Sequence, residues 1–347
     1  MNSIIERYKK IRKKGLLEKK FKGKYAFVGV GNHSINNLYP VLNYLNVDLK
    51  YIVVKSSETL SLAQTYFKDA KATIDLNEVL TDDEIKGIFV SANPESHFGL
   101  AKKIIAGKKS LFIEKPPCLT LSELNELAAE QNKNNTVALT GLQRRYSPVF
   151  QILKNKVKNA SYYSVKYKTG AYPEGNELLD LFIHPIDAAF YLFGTGKVEH
   201  IQLIKKNGTA TYLFHIVHQS GIVGNFELST AHSWTEAIDE FTICTPRGDF
   251  YTENTSKLTF STKPTTVFNI PIEKVKTFLP QTTTLYLQNN FLPIKTHNQL
   301  YASGYFNEIE SFLNACENGN IASNKSSFNQ LVPTFEAIEI LQKKIQS

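Results

Sequence analysis

Asp180 and His184 lie four residues apart within LLDLFIHPIDAAFYLF, residues 178–193. In a helical turn they share one face, so the carboxylate can orient the imidazole, and an imidazole of ordinary pKa, about 6.5, can act as a general base at neutral pH. Simple capping is the competing reading, because polar pairs open many helices and Pro185 suits a first turn better than a helix interior. Lys115 is a second candidate, in FIEKPP at residues 112–117, where an apolar strand ends in a charged pair and two prolines. An ammonium held at a strand terminus can polarise a substrate hydroxyl, whereas most lysines before a turn only face water.

Gly29-Val30-Gly31-Asn32-His33-Ser34 follows an apolar strand and precedes a helical pattern. The first glycine permits a tight turn, the second lets backbone approach a pyrophosphate, and the small Ser34 replaces a third glycine. Gly29, Gly31, Asn32, His33 and Ser34 are therefore candidate cofactor contacts. Where NAD-binding folds place an Asp or Glu about 20 residues further on, the second strand ends Val54-Lys55-Ser56-Ser57-Glu58. Lys55 and Ser56 suit a 2′-phosphate, which favours NADP over NAD, with Glu58 as the group that could turn inward to serve NAD. SANPESH, residues 91–97, also ends a strand, on the edge of a parallel sheet where ligands bind. That makes Asn93 and His97 cofactor candidates beside Glu114 and Lys115, against an ordinary Asn-Pro turn capped by Ser96.

Such turns need a parallel sheet to hold them. Apolar runs at residues 25–30, 49–54, 88–90, 110–113 and 137–140 alternate with helical patterns at 36–45, 60–67, 97–106 and 122–132, the rhythm of βαβ units. Beyond residue 146 longer alternating strands at 160–168, 198–205, 209–218 and 222–229 predict an antiparallel sheet with one wet face, and helices at 305–317 and 331–346 close the chain. The fold class is α/β, with a basic extension over residues 1–24, a Rossmann domain over 25–146 and a substrate domain over 147–347.

At 347 residues, 42% of them hydrophobic, the chain is long enough for two globular cores. Its three cysteines, Cys118, Cys244 and Cys316, have neither CxxC nor metal-ligand spacing, which argues for a reducing compartment and against a metal. No apolar run approaches the roughly 20 residues of a membrane span, and no apolar segment follows the basic start as a leader would require, so a cytoplasmic protein is expected. Residues 1–24 hold ten of the 40 Lys/Arg and two of the 32 Asp/Glu, leaving thirty of each sign in the body. A neutral body makes nucleic acid the weakest partner. Ile4, Ile5, Tyr8, Ile11 and Leu16 form a helical stripe in that segment, expected to pack on the first domain, with an anionic surface, partner or substrate as the rival reading.

GVGNHS, the Ser-His of SANPESH, FIEKPPCLT, GLQRRYSP at residues 141–148, LLDLFIHPIDAAFYLFG and GYFNEIESFLNA occur in one order along the chain. Together they resemble the glucose-fructose oxidoreductase and inositol dehydrogenase family (Gfo/Idh/MocA), the EKP and DxxxH pair being the specific part. The resemblance implies that the second domain is α+β, with a large, mostly antiparallel open sheet often used for homodimer or homotetramer packing. It carries a catalytic trio onto Lys115, Asp180 and His184, in which Lys115 contacts nicotinamide and substrate and His184 exchanges the hydroxyl proton. The family's glycine-rich approach to DxxxH is reduced here to Glu174-Gly175-Asn176-Glu177. The details look most like members from bacterial surface-polysaccharide and related sugar gene neighbourhoods.

The expected reaction is hydride transfer between the nicotinamide of NADP or NAD and a secondary hydroxyl or ketone of a sugar, nucleotide sugar or cyclitol. Arg144, Arg145, Tyr172 and Trp234 are candidates to line the substrate pocket with His184, either arginine being suited to a bidentate grip on an anionic group unless the two are a surface pair. Two rivals are a family member that retains its cofactor through an elimination or glycosidic cleavage, and a non-catalytic NAD(P)-binding sensor. A sensor would have no chemical need for the whole trio.

Overall fold

The computed structural model describes residues 2–17, 20–291, 294–319 and 325–346. Residues 1, 18 and 19 of the basic extension, and 292, 293, 320–324 and 347 of the second domain, lie outside the described residues.

Six strands build the first sheet: β1 (Lys24–Val28), β2 (Asp48–Val53), β3 (Lys71–Thr73), β4 (Ile85–Val90), β5 (Ser110–Glu114) and β6 (Ala138–Gly141). Every pairing is parallel and the order is β3-β2-β1-β4-β5-β6. The runs are apolar throughout because helices cover both faces of a parallel sheet. The strand order reverses between β1 and β4, which opens a crevice at their carboxyl ends. The turns after β1, β4 and β5 meet on that edge. Strand β3 and helix α4 (Leu76–Leu80) went unpredicted, because three and five residues are too few for a period to be legible.

The connecting helices include α2 (Tyr39–Tyr44), α3 (Ser57–Tyr66), α5 (Pro94–Ala106) and α6 (Leu121–Asn134). The second domain starts with α7 (Pro148–Lys156) and β7 (Tyr162–Lys168), then α8 (Ile183–Phe193), β8 (Gly196–Lys206), β9 (Thr209–His218) and β10 (Val223–Ser229). It continues through β11 (Ile238–Thr245), β12 (Gly248–Glu253), β13 (Lys257–Thr262), a small ribbon of β14 (Thr266–Val267) and β15 (Ile270–Pro271), and β16 (Thr282–Leu287). Eight of these strands form one open sheet, β16-β13-β12-β11-β7-β10-β9-β8, antiparallel except for the β7 and β10 pair. Its inner residues, among them Tyr212, Phe214, Phe226 and Phe241, are fully buried, while alternate residues of β9 stay half-buried.

Three helices close the chain: α9 (Gln299–Ser303), α10 (Tyr305–Asn318) and α11 (Phe328–Gln346). Helix α10 returns to the first sheet, where the Phe312 ring lies 5.0 Å from Phe89 and 5.9 Å from Phe112. Helix α1 (Asn2–Leu17) corrects an expectation: every side chain from residue 3 to 13 is exposed, so it does not pack on the first domain. The stripe has helical spacing but no complementary face over residues 3–13; the Leu16 side chain of the expected stripe lies outside those described, and Phe21 is buried.

Candidate active site

Gly29 holds φ +103°, and a Cβ there would stand 2.0 Å from the Ser91 carbonyl oxygen. The turn can therefore close against the β4 loop only as glycine. The Gly31 N–H donates to Ser34 Oγ at 2.9 Å, which explains how serine replaces a third glycine. No atom lies within 4 Å of a Cβ built on Gly31. That open backbone ahead of a helical turn fits a pyrophosphate. Gly29→Ala should cost about 2–4 kcal/mol in strain and overpacking, read as a lowered Tm with cofactor binding weakened at least tenfold in a fluorescence titration. A variant that melts and binds as the parent does would refute this geometry.

Around the turn, His33 Nε2 lies 3.3 Å from Glu114 Oε1. Burial opposes charging of this imidazole, but the Glu114 carboxylate outweighs it and raises the pKa. Asn32, Asn93, Lys55 and Ser56 are exposed at the mouth of the crevice, with Ser56 Oγ 3.0 Å from Thr59 Oγ1. His97 is placed differently from the sequence expectation. It is buried, its Nε2 accepts from the Ala92 N–H at 3.2 Å, and its Nδ1 bonds the Pro116 carbonyl at 2.7 Å. With both nitrogens taken by backbone, His97 ties the β4 turn to the β5 turn and has no polar atom left for a cofactor. The same turn has Asn93, not Ser96, at the cap of α5.

Lys115 Nζ donates to the Asp180 carbonyl at 2.5 Å, joining the two domains. Burial lowers its pKa, partly offset by Glu114 and Asp180. His184 sits on the first turn of α8, after a π-helical turn, Leu178–Phe182, that carries Asp180. Its pKa falls well below 6.5 through burial and then the charges of Lys115, Arg144 and His33. His184 Nδ1 is buried without a hydrogen-bond partner among the described residues. The expectation that Asp180 orients His184 is corrected: its Oδ2 accepts from the Asn176 N–H at 2.9 Å and the Tyr172 hydroxyl at 3.3 Å. A helical Cα–Cβ bond tilts toward the N-terminus, so the carboxylate reaches back along the chain. Gly175 allows this, since a Cβ there would stand 2.5 Å from Asp180 Oδ2.

Neither arginine is free to grip a substrate anion. Arg145 forms a two-point pair with Asp187, at 2.8 and 2.5 Å, with side chains only 3% and 1% exposed. Arg144 is likewise forked onto Asp239, at 2.9 and 2.7 Å. Tyr172 and Trp234 do meet near the site, ring centroids 6.2 Å apart, and the Trp234 indole is 51% exposed and fixed by an N–H bond to the Ala171 carbonyl at 3.0 Å. Sequence reasoning missed Asp187, Asp239 and Glu308. Asp187 and Glu308 sat in the quoted motifs LLDLFIHPIDAAFYLFG and GYFNEIESFLNA as available signals, whereas Asp239 had none. Glu308, fully buried on α10, has its pKa raised well above the carboxylate range by burial and then by Glu114.

An open glycine turn at the switch point of a parallel sheet, with Lys115 and His184 nearby, has the form of a dinucleotide-binding crevice. Residues 23–142 match the Gfo/Idh/MocA family model, described as "Oxidoreductase family, NAD-binding Rossmann fold". A myo-inositol 2-dehydrogenase of Thermotoga maritima is 28% identical over 136 residues, 36% of this chain and 41% of that protein. The chain thus matches about two fifths of that curated relative's length. Among solved structures, a dehydrogenase from Chromobacterium violaceum superposes with TM-score 0.77 at 17% identity, covering 93% of this chain and 97% of the other. UDP-N-acetylglucosamine 3-dehydrogenase from Acidithiobacillus ferrooxidans gives 0.71 at 17% identity, covering 93% and 96%. These likenesses concern the fold.

Proposed function

We propose that the protein is an NAD(P)-dependent dehydrogenase or reductase acting on a secondary hydroxyl or ketone of a sugar, nucleotide sugar or cyclitol. The observation that carries this reading is the Lys115 bond to the Asp180 carbonyl, which sets the ammonium one helical turn before His184, beside the dinucleotide crevice. A nicotinamide bound there supplies hydride exchange with the substrate carbon. The His184 imidazole takes or returns the hydroxyl proton, and the Lys115 ammonium polarises the same oxygen. Asp180 positions the Tyr172 loop and Lys115, and does not orient the histidine. The Trp234 ring offers a flat apolar face to a sugar or base. The dehydrogenases named above, for an inositol and for a UDP-sugar, support this substrate class. The half-buried outer face of the large sheet supports a homodimer or homotetramer, and a cytoplasmic location accords with the absence, among the described helices, of one long and apolar enough to cross a membrane.

The test is spectroscopic detection of bound NAD(H) or NADP(H), then a panel of sugars, nucleotide sugars and cyclitols scored for nicotinamide reduction against Lys115→Ala. Turnover that Lys115→Ala removes is the expected result. Failure to bind either cofactor, or turnover independent of Lys115, would overturn the proposal.

Cofactor choice falls to the end of β2, where Lys55 and Ser56 present a cation and a hydroxyl. NADP is proposed over NAD. Lys55→Ala should weaken NADP at least about tenfold, the loss of one charge-assisted hydrogen bond, and leave NAD nearly unchanged. Equal losses for both cofactors, or tighter NAD binding by the parent, would sink the preference.

A further inference from the structure

We propose that helix α1 is a docking element for an anionic phospholipid surface. Ile4, Ile5, Tyr8 and Ile11 are 74%, 47%, 63% and 63% exposed. Residues 4, 8 and 11 follow helical spacing, so they form one stripe with Ile5 at its edge. Arg7, Lys9, Lys10 and Lys13 lie on the rest of the circumference, Arg12 falls between Tyr8 and Ile5 at the edge of the stripe, and Lys9 pairs with Glu6 at 2.9 Å. A helix of this length is marginal alone, its stability coming from whatever covers its apolar face. Among the described residues nothing covers the stripe over residues 4–11.

Charge selects the occupant. Residues 2–17 contain six Lys/Arg and one acidic residue, so a second copy of the helix would bring like charges together. A nucleic acid would neutralise the cations and leave the isoleucines wet. An anionic bilayer interface satisfies both faces at once, taking the stripe below the headgroups and the cations among the phosphates. The segment after α1 is firmly attached to the body: Phe21 is buried, and the Lys22 and Gly23 N–H groups donate to Glu317 at 3.1 and 2.7 Å.

The experiment is flotation of the full chain with phosphatidylcholine vesicles, with and without phosphatidylglycerol, independent of any redox assay. Binding is expected to the anionic vesicles only, to weaken as salt is raised, to fall about fivefold for each Lys or Arg removed by substitution, and to fall at least tenfold in Ile4→Asp/Ile11→Asp. Lys9→Glu/Lys10→Glu/Lys13→Glu should abolish it, with Tm unchanged in both variants because the substituted side chains are exposed. No flotation with anionic vesicles at low salt overturns the proposal. So does flotation that the isoleucine variant retains, which marks simple polyanion binding, or a fall in oligomer mass in that variant without vesicle binding, which marks helix pairing.

Discussion

His184→Ala is expected to lower kcat by about 10²–10⁴, the usual contribution of a positioned general acid or base, with cofactor affinity held. The imidazole lies on α8, outside the Rossmann sheet and its glycine turn, so its loss should act mainly on proton transfer. The pH profile carries a second, sharper signature. Proton abstraction needs neutral imidazole, and burial together with Lys115, Arg144 and His33 holds its pKa below 6.5. Alcohol oxidation should therefore stay flat as pH falls through 6.5, declining only further into acid. The alkaline limb should lie below 10.5, because burial lowers the Lys115 pKa and its ammonium is lost sooner as pH rises. An acid limb at 6.5 or above in kcat/KM, or an alanine variant with parental kcat, would remove His184 from the mechanism.

Arg145→Ala should destabilise the fold by about 3–5 kcal/mol, the cost of leaving a buried carboxylate unpaired. Asp187 is the group stranded, since its two oxygens bond the guanidinium at 2.8 and 2.5 Å and only Thr334 Oγ1, at 3.1 Å, remains to it. The double variant Arg145→Met/Asp187→Leu should recover most of that loss, because a paired ion and an apolar pair of similar volume differ little in stability. Urea melts of the three proteins measure the cycle. A mild single variant whose main defect is a raised KM would return Arg145 to the substrate pocket.

Both arginines illustrate where sequence reasoning stops. Two adjacent guanidinium groups after a β-strand suit anion recognition by type, but their partners, Asp187 and Asp239, lie 42 and 95 residues away. Only the packing of α8 and β11 against that segment shows that the charges are already spent. His97 fails in the same way: its position at the carboxyl end of β4 was legible, while its two backbone partners depend on how closely the β5 turn approaches. Asp180 and His184 have the spacing of a hydrogen-bonded pair, yet Tyr172 and Asn176 compete for the carboxylate from a loop with no periodic signal.

By itself the sequence determined the parallel first sheet, the phosphate turn and the strand-end placement of Lys115, because these follow from apolar periodicity and from local backbone rules at glycine. The tertiary structure decided which charges remain free. It brought α10 back onto the first sheet, buried Glu308 beside Glu114, paired off Arg144 and Arg145, and left the α1 stripe uncovered. Those outcomes rest on desolvation and on partners far away in the chain, and neither is encoded in the spacing of nearby residues.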